Sequence, residues 1–246
     1  AHFNLGNILK DLGNFEEAEL VTRKAIEIKP DYAKAHFNLG NILKDLGKLQ
    51  DAELSYRKAI EIKPVFAEAH FNLGNILKDL GNLQEAELSY RKAIELKPDY
   101  AEAHLNQGNI FSDLGKIQEA EFSIRKAIDI KPNYAEAHLN LGNILYDLGN
   151  MQAAEFHTRK AIEIDPRLED AKFNLSLILL KTKNFKEGFI RHESRWERRG
   201  VIKPFITSKP EWSPKNRGRV LLWAEQGVGD EILFASMIPE LEELVD

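Results

Sequence analysis

Asparagine stands at Asn4, Asn38, Asn72, Asn106, Asn140 and Asn174, always 34 residues apart. A second asparagine follows three residues after the first five, at Asn7, Asn41, Asn75, Asn109 and Asn143. Four residues later an aspartate returns, at Asp11, Asp45, Asp79, Asp113 and Asp147. A side-chain amide carries two donors and a carbonyl acceptor. A row of amides can therefore pair with both the C=O and the N–H of an extended backbone, whatever the side chains of that segment. The aspartates would bias such a surface toward basic or donor-rich segments. The alternative is that the asparagines recur because the units arose by recent duplication, or because they cap or bond within the array, and that the aspartates are a solvated face.

The words around these residues show what positions them. His-Phe-Asn-Leu-Gly-Asn-Ile-Leu-Lys-Asp-Leu-Gly occurs at residues 2–13, 36–47 and 70–81, with variants at 104–115 and 138–149. A period of 34 predicts stacked helical pairs. In residues 33–66, Ala35, Leu39, Ile42, Leu43 and Leu46 keep helical spacing, and Gly47 supplies the left-handed residue that ends the helix. Leu49, Ala52, Tyr56, Ala59, Ile60 and Ile62 form a second apolar face, and Pro64 closes the pair. Gly at mid-helix costs about 1 kcal/mol against Ala, so its return at Gly6, Gly40, Gly74, Gly108 and Gly142 predicts close packing. Positions four, seven and eleven apart share a helical face. Lys34, Asn38, Asn41 and Asp45 therefore lie together, off the packing face, as do Glu68, Asn72, Asn75 and Asp79.

Composition narrows the partners. The chain has 246 residues and a formal net charge of −5, with a pI near 5.9. Phosphate binding needs a basic surface, so nucleic acid is disfavoured. No cysteine is present, which excludes disulfides and thiolate zinc sites and fits a cytoplasmic setting. The apolar runs, such as Leu177–Leu180, are too short to span a bilayer. The chain opens at Ala1 inside a repeat, and reads as a fragment.

Leu39, Gly40, Ala52, Tyr56, Ala59 and Pro64 resemble the consensus of the tetratricopeptide repeat, with His36 where that family most often has Trp. The resemblance implies an all-α, right-handed superhelical α-solenoid whose first helices line a concave groove. It covers residues 1–168 as five units, the first incomplete. Residues 169–200 read as a degenerate sixth unit, since Ser176, Lys183, Gly188 and Arg195 replace expected Gly and Ala. The asparagine row is similar to the ladder that grips acceptor polypeptides in O-linked N-acetylglucosamine transferases. That similarity implies peptide contact at Asn4, Asn38, Asn72, Asn106, Asn140 and Asn174.

Other rows read as structural. Imidazoles at His2, His36, His70, His104 and His138 recur one per unit. Helices pack about 8–10 Å apart, too far for several rings to reach one ion, so they are expected to fill the Trp slot. Paired Arg-Lys at 23–24, 57–58, 91–92, 125–126 and 159–160 is expected to bond to nearby Glu on the same helix. No motif implies a metal or cofactor for the array.

Past Gly200 the period is lost. Residues 201–219, with Pro204, Pro210 and Pro214, read as a linker. Residues 220–246 read as strand, glycine loop and helix, the truncated start of an α/β domain. Glu225-Gln-Gly-Val-Gly-Asp230 resembles the opening of the heptosyltransferase-type glycosyltransferase domain that follows such repeats in many bacterial proteins. By that resemblance Asp230 matches a catalytic base and Gly227 and Gly229 a nucleotide-sugar loop; Asp230 is equally suited to cap a helix. The chain itself is read as a non-enzymatic scaffold for an extended peptide, able to self-associate through its terminal repeats. The competing reading is the substrate-recruiting arm of a nucleotide-sugar-dependent glycosyltransferase. An RNA-binding repeat ranks below both, because the groove is Asn and Asp rather than basic.

Overall fold

The computed structural model describes residues 1–192. The linker, the strand-loop-helix and the positions Gly227, Gly229 and Asp230 lie outside the described residues. The described chain is all-α, with twelve helices in antiparallel pairs that stack as a solenoid. The pairs are α1 (His2–Asp11) with α2 (Phe15–Ile28), α3 (Ala33–Asp45) with α4 (Leu49–Ile62), and α5 (Ala67–Asp79) with α6 (Leu83–Leu96). They continue as α7 (Ala101–Asp113) with α8 (Ile117–Ile130), α9 (Ala135–Asp147) with α10 (Met151–Ile164), and α11 (Glu169–Lys181) with α12 (Phe185–His192).

The helix ends follow the predicted chemistry. Gly47 adopts φ 73°, its N–H donates to the Lys44 carbonyl at 2.9 Å, and the Lys48 N–H reaches back to Leu43 at 2.8 Å. This paired closure satisfies carbonyls that the helix leaves open. Lys183 holds the same place in the last pair at φ 66°, without the freedom of glycine.

Within each unit the apolar faces meet as expected. Ala35, Ile42, Leu43, Ala52, Tyr56 and Ala59 are fully buried. The mid-helix glycine has its packing reason in the second helix: a Cβ on Gly40 would sit 2.6 Å from the Tyr56 ring. Phe37 also meets Phe66 at 4.9 Å and Phe71 meets Tyr100 at 4.8 Å between the centroids of tilted rings.

The histidine row ties each unit to the turn before it. Nε2 of His36, His70, His104 and His138 lies 2.8–3.0 Å from the carbonyls of Pro30, Pro64, Pro98 and Pro132. A carbonyl only accepts, so Nε2 carries the proton and donates. The Arg row pairs as expected on its own helices: Arg23 with Glu19, Arg57 with Glu53, Arg91 with Glu87, Arg125 with Glu121 and Arg159 with Glu155. Two of these arginines also reach the next unit, Arg57 to Glu85 at 2.6 Å and Arg159 to Glu187 at 2.8 Å.

Candidate functional site

Both asparagine rows sit on the first helix of each pair. Their three-residue offset puts them on one face, and the stacking sets them against each other across units. Nδ2 of Asn72 donates to Oδ1 of Asn41 at 2.9 Å. The same bond joins Asn106 to Asn75, Asn140 to Asn109 and Asn174 to Asn143, at 2.7–2.8 Å. The two rows thus form one ladder of amides, each rung spanning a unit boundary. Most of these side chains are half-buried.

Tyrosine fixes part of the ladder from behind. The Tyr56 hydroxyl donates to Asn41 Oδ1 at 2.8 Å, and Tyr90 donates to Asn75 Oδ1 at 2.8 Å. Both phenols are fully buried. Burial, with Asp45 and Asp79 nearby, pushes them well above the ordinary phenol range, so they remain donors. In the next two units Ile124 and Thr158 replace the tyrosine, and Asn109 and Asn143 accept from the ladder alone.

The N-terminal end of the rows is different. Asn4 is exposed, and Asn38 is only 6% exposed. Nδ2 of Asn38 is buried without a partner, and it makes no bond to Asn7. The ladder therefore begins at Asn41.

The aspartates end the first helices, and Asp45, Asp79, Asp113 and Asp147 are all exposed. The structure brings all three rows together in one recess of about 220 Å³, lined in part by Asn109, Asn140, Asn143, Asp113 and Asp147. A neighbouring recess of about 170 Å³ is lined by Asn143, Tyr146, Asp147, Asn174, Leu177 and Ile178. The Lys181 ammonium lies 4.2 Å from the centre of the Tyr146 ring beside it. A cation over an aromatic face is attracted by the ring quadrupole.

Sequence reasoning missed Tyr56 and Tyr90 as anchors, and Tyr146 and Leu177 as wall residues. A signal did exist for the tyrosines. Each stands 15 residues after the asparagine it holds, opposite the mid-helix glycine that makes room for its ring. A larger recess, about 540 Å³, includes Glu87, Gln107, Phe111 and Phe122 in its lining and touches none of the three rows. Among the described residues no group of three or more His, Asp or Glu is placed to hold a metal ion. No described helix is long and apolar enough to cross a membrane.

Known proteins resemble this architecture along most of the described chain. Models of the tetratricopeptide repeat match residues 67–100, 135–168 and 89–122. A TPR repeat model matches residues 6–47, 40–81 and 108–149. No curated protein matches the chain. The crystal structure of MamA is 26% identical, covers 66% of this chain and 95% of its own, and superposes with a TM-score of 0.62. PilF of Pseudomonas aeruginosa is 21% identical over 78% of this chain and 87% of its own, with a TM-score of 0.71. YrrB, described as a TPR protein with an unusual peptide-binding site, is 23% identical over 70% of this chain and 89% of its own, with a TM-score of 0.60. At that identity PilF and YrrB show the fold alone. The matched repeats run without a gap from residue 6 to residue 168, and the chain belongs to the tetratricopeptide repeat family.

Proposed function

We propose that this chain is a non-catalytic scaffold that holds an extended polypeptide segment along the amide-lined face of its first helices. The observation that carries the reading is the ladder itself. Each rung uses one N–H of a first-row amide. An amide has two donors and a carbonyl acceptor, so one N–H and the carbonyl oxygen of Asn72, Asn106, Asn140 and Asn174 are left for a ligand backbone. Because the rung already fixes the side chain, binding pays no further cost to order it. Asn41, Asn75, Asn109 and Asn143 act as supports that hold the first row in place.

The recesses at the C-terminal end supply side-chain preference. Asp113 and Asp147 favour a basic or donor-bearing residue. Tyr146 and Leu177 accept an apolar one. YrrB's peptide-binding site is a property of YrrB, and it supports the reading only by showing that this fold can serve such a role.

The test is a library of short unstructured peptides screened against the whole chain, followed by titration of the best binders. Replacing Asn72, Asn106 and Asn140 together by Ala is expected to weaken binding at least tenfold while helicity is retained. No binding by any peptide, or unchanged affinity in the folded triple variant, overturns the proposal.

Val220 to Asp230 favours a second reading, the recruiting arm of a nucleotide-sugar-dependent glycosyltransferase similar to the heptosyltransferase-type family. The groove would then present its bound segment as the acceptor, with Asp230 as the base. The intact mass of the native polypeptide tests it. A product far longer than this chain, with sugar transfer lost in its Asp230→Asn variant, supports this reading. A product ending near Asp246 removes it.

A further inference from the structure

The rungs of the ladder are periodic in space as well as in sequence, and the spatial period limits which backbone can use them. Each rung is a direct bond between neighbouring first helices. Asn72 on α5 reaches Asn41 on α3, Asn106 on α7 reaches Asn75 on α5, and Asn140 on α9 reaches Asn109 on α7. Helices in such contact lie about 8–10 Å apart. Asn72, Asn106, Asn140 and Asn174 hold the same place on successive first helices, so their side-chain oxygens recur at about that pitch. Each rung employs Nδ2, and no bond among the described residues uses those four Oδ1 atoms.

A ligand must offer an N–H toward the ladder at the same pitch. In a β-strand successive residues face opposite sides, so like-facing groups recur about every 6.4–6.8 Å, and next at about 13 Å. Neither spacing matches the rungs. A polyproline II helix turns once in about three residues with a rise of about 3.1 Å, so like-facing groups recur about every 9.3 Å. That value falls inside the pitch of the rungs. Polyproline II also makes no internal hydrogen bonds, so its N–H groups are open to the amide oxygens. An α-helix consumes its own N–H groups and has none to give along its length.

We infer that the groove selects a segment in the polyproline II conformation, with a free N–H at every third residue and proline admitted at the two residues between. The inference rests on the peptide-groove reading above and narrows its ligand class. Asn72, Asn106, Asn140 and Asn174 would each accept from one ligand residue, and each of those residues stands three after the last. Prolines at the intervening positions pre-set φ near about −65°. The segment then arrives already ordered, as the rungs are, and little freedom is lost on binding. The recess lined by Tyr146, Leu177 and Ile178 offers a proline ring an aromatic and aliphatic seat beside Asn174. A single peptide bends at each residue, so it can follow a curved stack.

The test uses three labelled, end-capped peptides of twelve residues, titrated against the whole chain by fluorescence polarisation. Four repeats of Gln-Pro-Pro carry an N–H at every third residue. Six repeats of Gln-Pro bring only two of the four required N–H groups into register, and twelve prolines bring none. The Gln-Pro-Pro peptide is expected to bind at least tenfold tighter than the other two, and to lose that preference when Asn72, Asn106 and Asn140 are all replaced by Ala. A second measurement needs no variant of the chain: proline is placed at each position in turn of the best binder from the unstructured library. Tolerance at two positions in three, with at least a tenfold loss at the third, is expected. Equal binding of the three peptides, preference for Gln-Pro, or a two-residue period of tolerance overturns the inference. If library peptides bind and the Gln-Pro-Pro peptide does not, this inference falls and the groove reading stands. If no peptide of either kind binds, both fall.

Discussion

Replacing Asn75 by Ala removes the acceptor on which two donors converge, and the structure sets the size of the loss. Tyr90 is fully buried, and its hydroxyl donates to Asn75 Oδ1, with the Asn106 amide also beside it. Leaving such a donor unpaired costs roughly 1–3 kcal/mol. Asn106 is half-buried and can turn to water, so losing its rung costs about 0.5–1.5 kcal/mol. The variant is therefore expected to lose about 1.5–4.5 kcal/mol in all. Tyr90→Phe deletes the donor and leaves Asn75 bonded to Asn106, so it is expected to lose only about 0.5–1.5 kcal/mol. The double variant should be less destabilised than the sum of the singles, because Phe removes the orphan that Ala creates. The assay is urea unfolding followed by circular dichroism, with hydrogen exchange to localise the effect. An array of repeats need not unfold in one step, so exchange at α5 to α7 decides the matter. If Asn75→Ala costs no more than Tyr90→Phe, or if the two add without coupling, the ladder is not the buried support described above.

Two further perturbations follow from local geometry. Lys183→Gly relieves a side chain at φ 66°, where five equivalent positions are glycine; a gain of about 1 kcal/mol is expected, read as a higher midpoint in urea. His157 is a pH probe. Burial, with His138 and Arg125 nearby, holds its imidazole down at about 4. Its Nδ1 lies 3.0 Å from Nδ1 of His138; because His138 holds its proton on Nε2, His157 Nδ1–H donates and His138 Nδ1 accepts. A depressed histidine binds its proton more readily when unfolded. Its contribution is therefore complete above the ordinary value of about 6.5 and is lost as pH falls toward 4. His157→Gln should flatten the fall in unfolding free energy across that window, and an unchanged slope would refute the assignment.

Periodicity and punctuation made most of the fold legible. The 34-residue words gave the pairs, and Gly47 and its equivalents marked the helix ends. The apolar spacing in residues 33–66 picked out side chains that are buried. Three-, four- and seven-residue offsets placed the asparagines and aspartates on one face, where they are found. What the sequence did not disclose is how one unit meets the next. Asn41 and Asn72 are 31 residues apart on different helices, and only the stacking makes them partners. The reach of the Tyr56 hydroxyl to Asn41 likewise depends on the gap that Gly40 leaves. The histidines were expected to fill the slot between paired helices; the structure also shows His36, His70, His104 and His138 bonded to the proline carbonyl of the preceding turn. That bond lies along the chain rather than across it, and helical periodicity carries no signal for it.

The rungs also bear on how such an array lengthens. Each one joins an acceptor in one unit to a donor in the next, and the three units of residues 67–168 carry both. An in-frame duplication of any stretch one unit long within those residues therefore supplies the new donor and the new acceptor together, wherever the break falls. No compensating change is needed at the seam. Groove length can drift in evolution, or be set by an engineer, without orphaning an amide, and the first cost of a longer array is met only at its two ends.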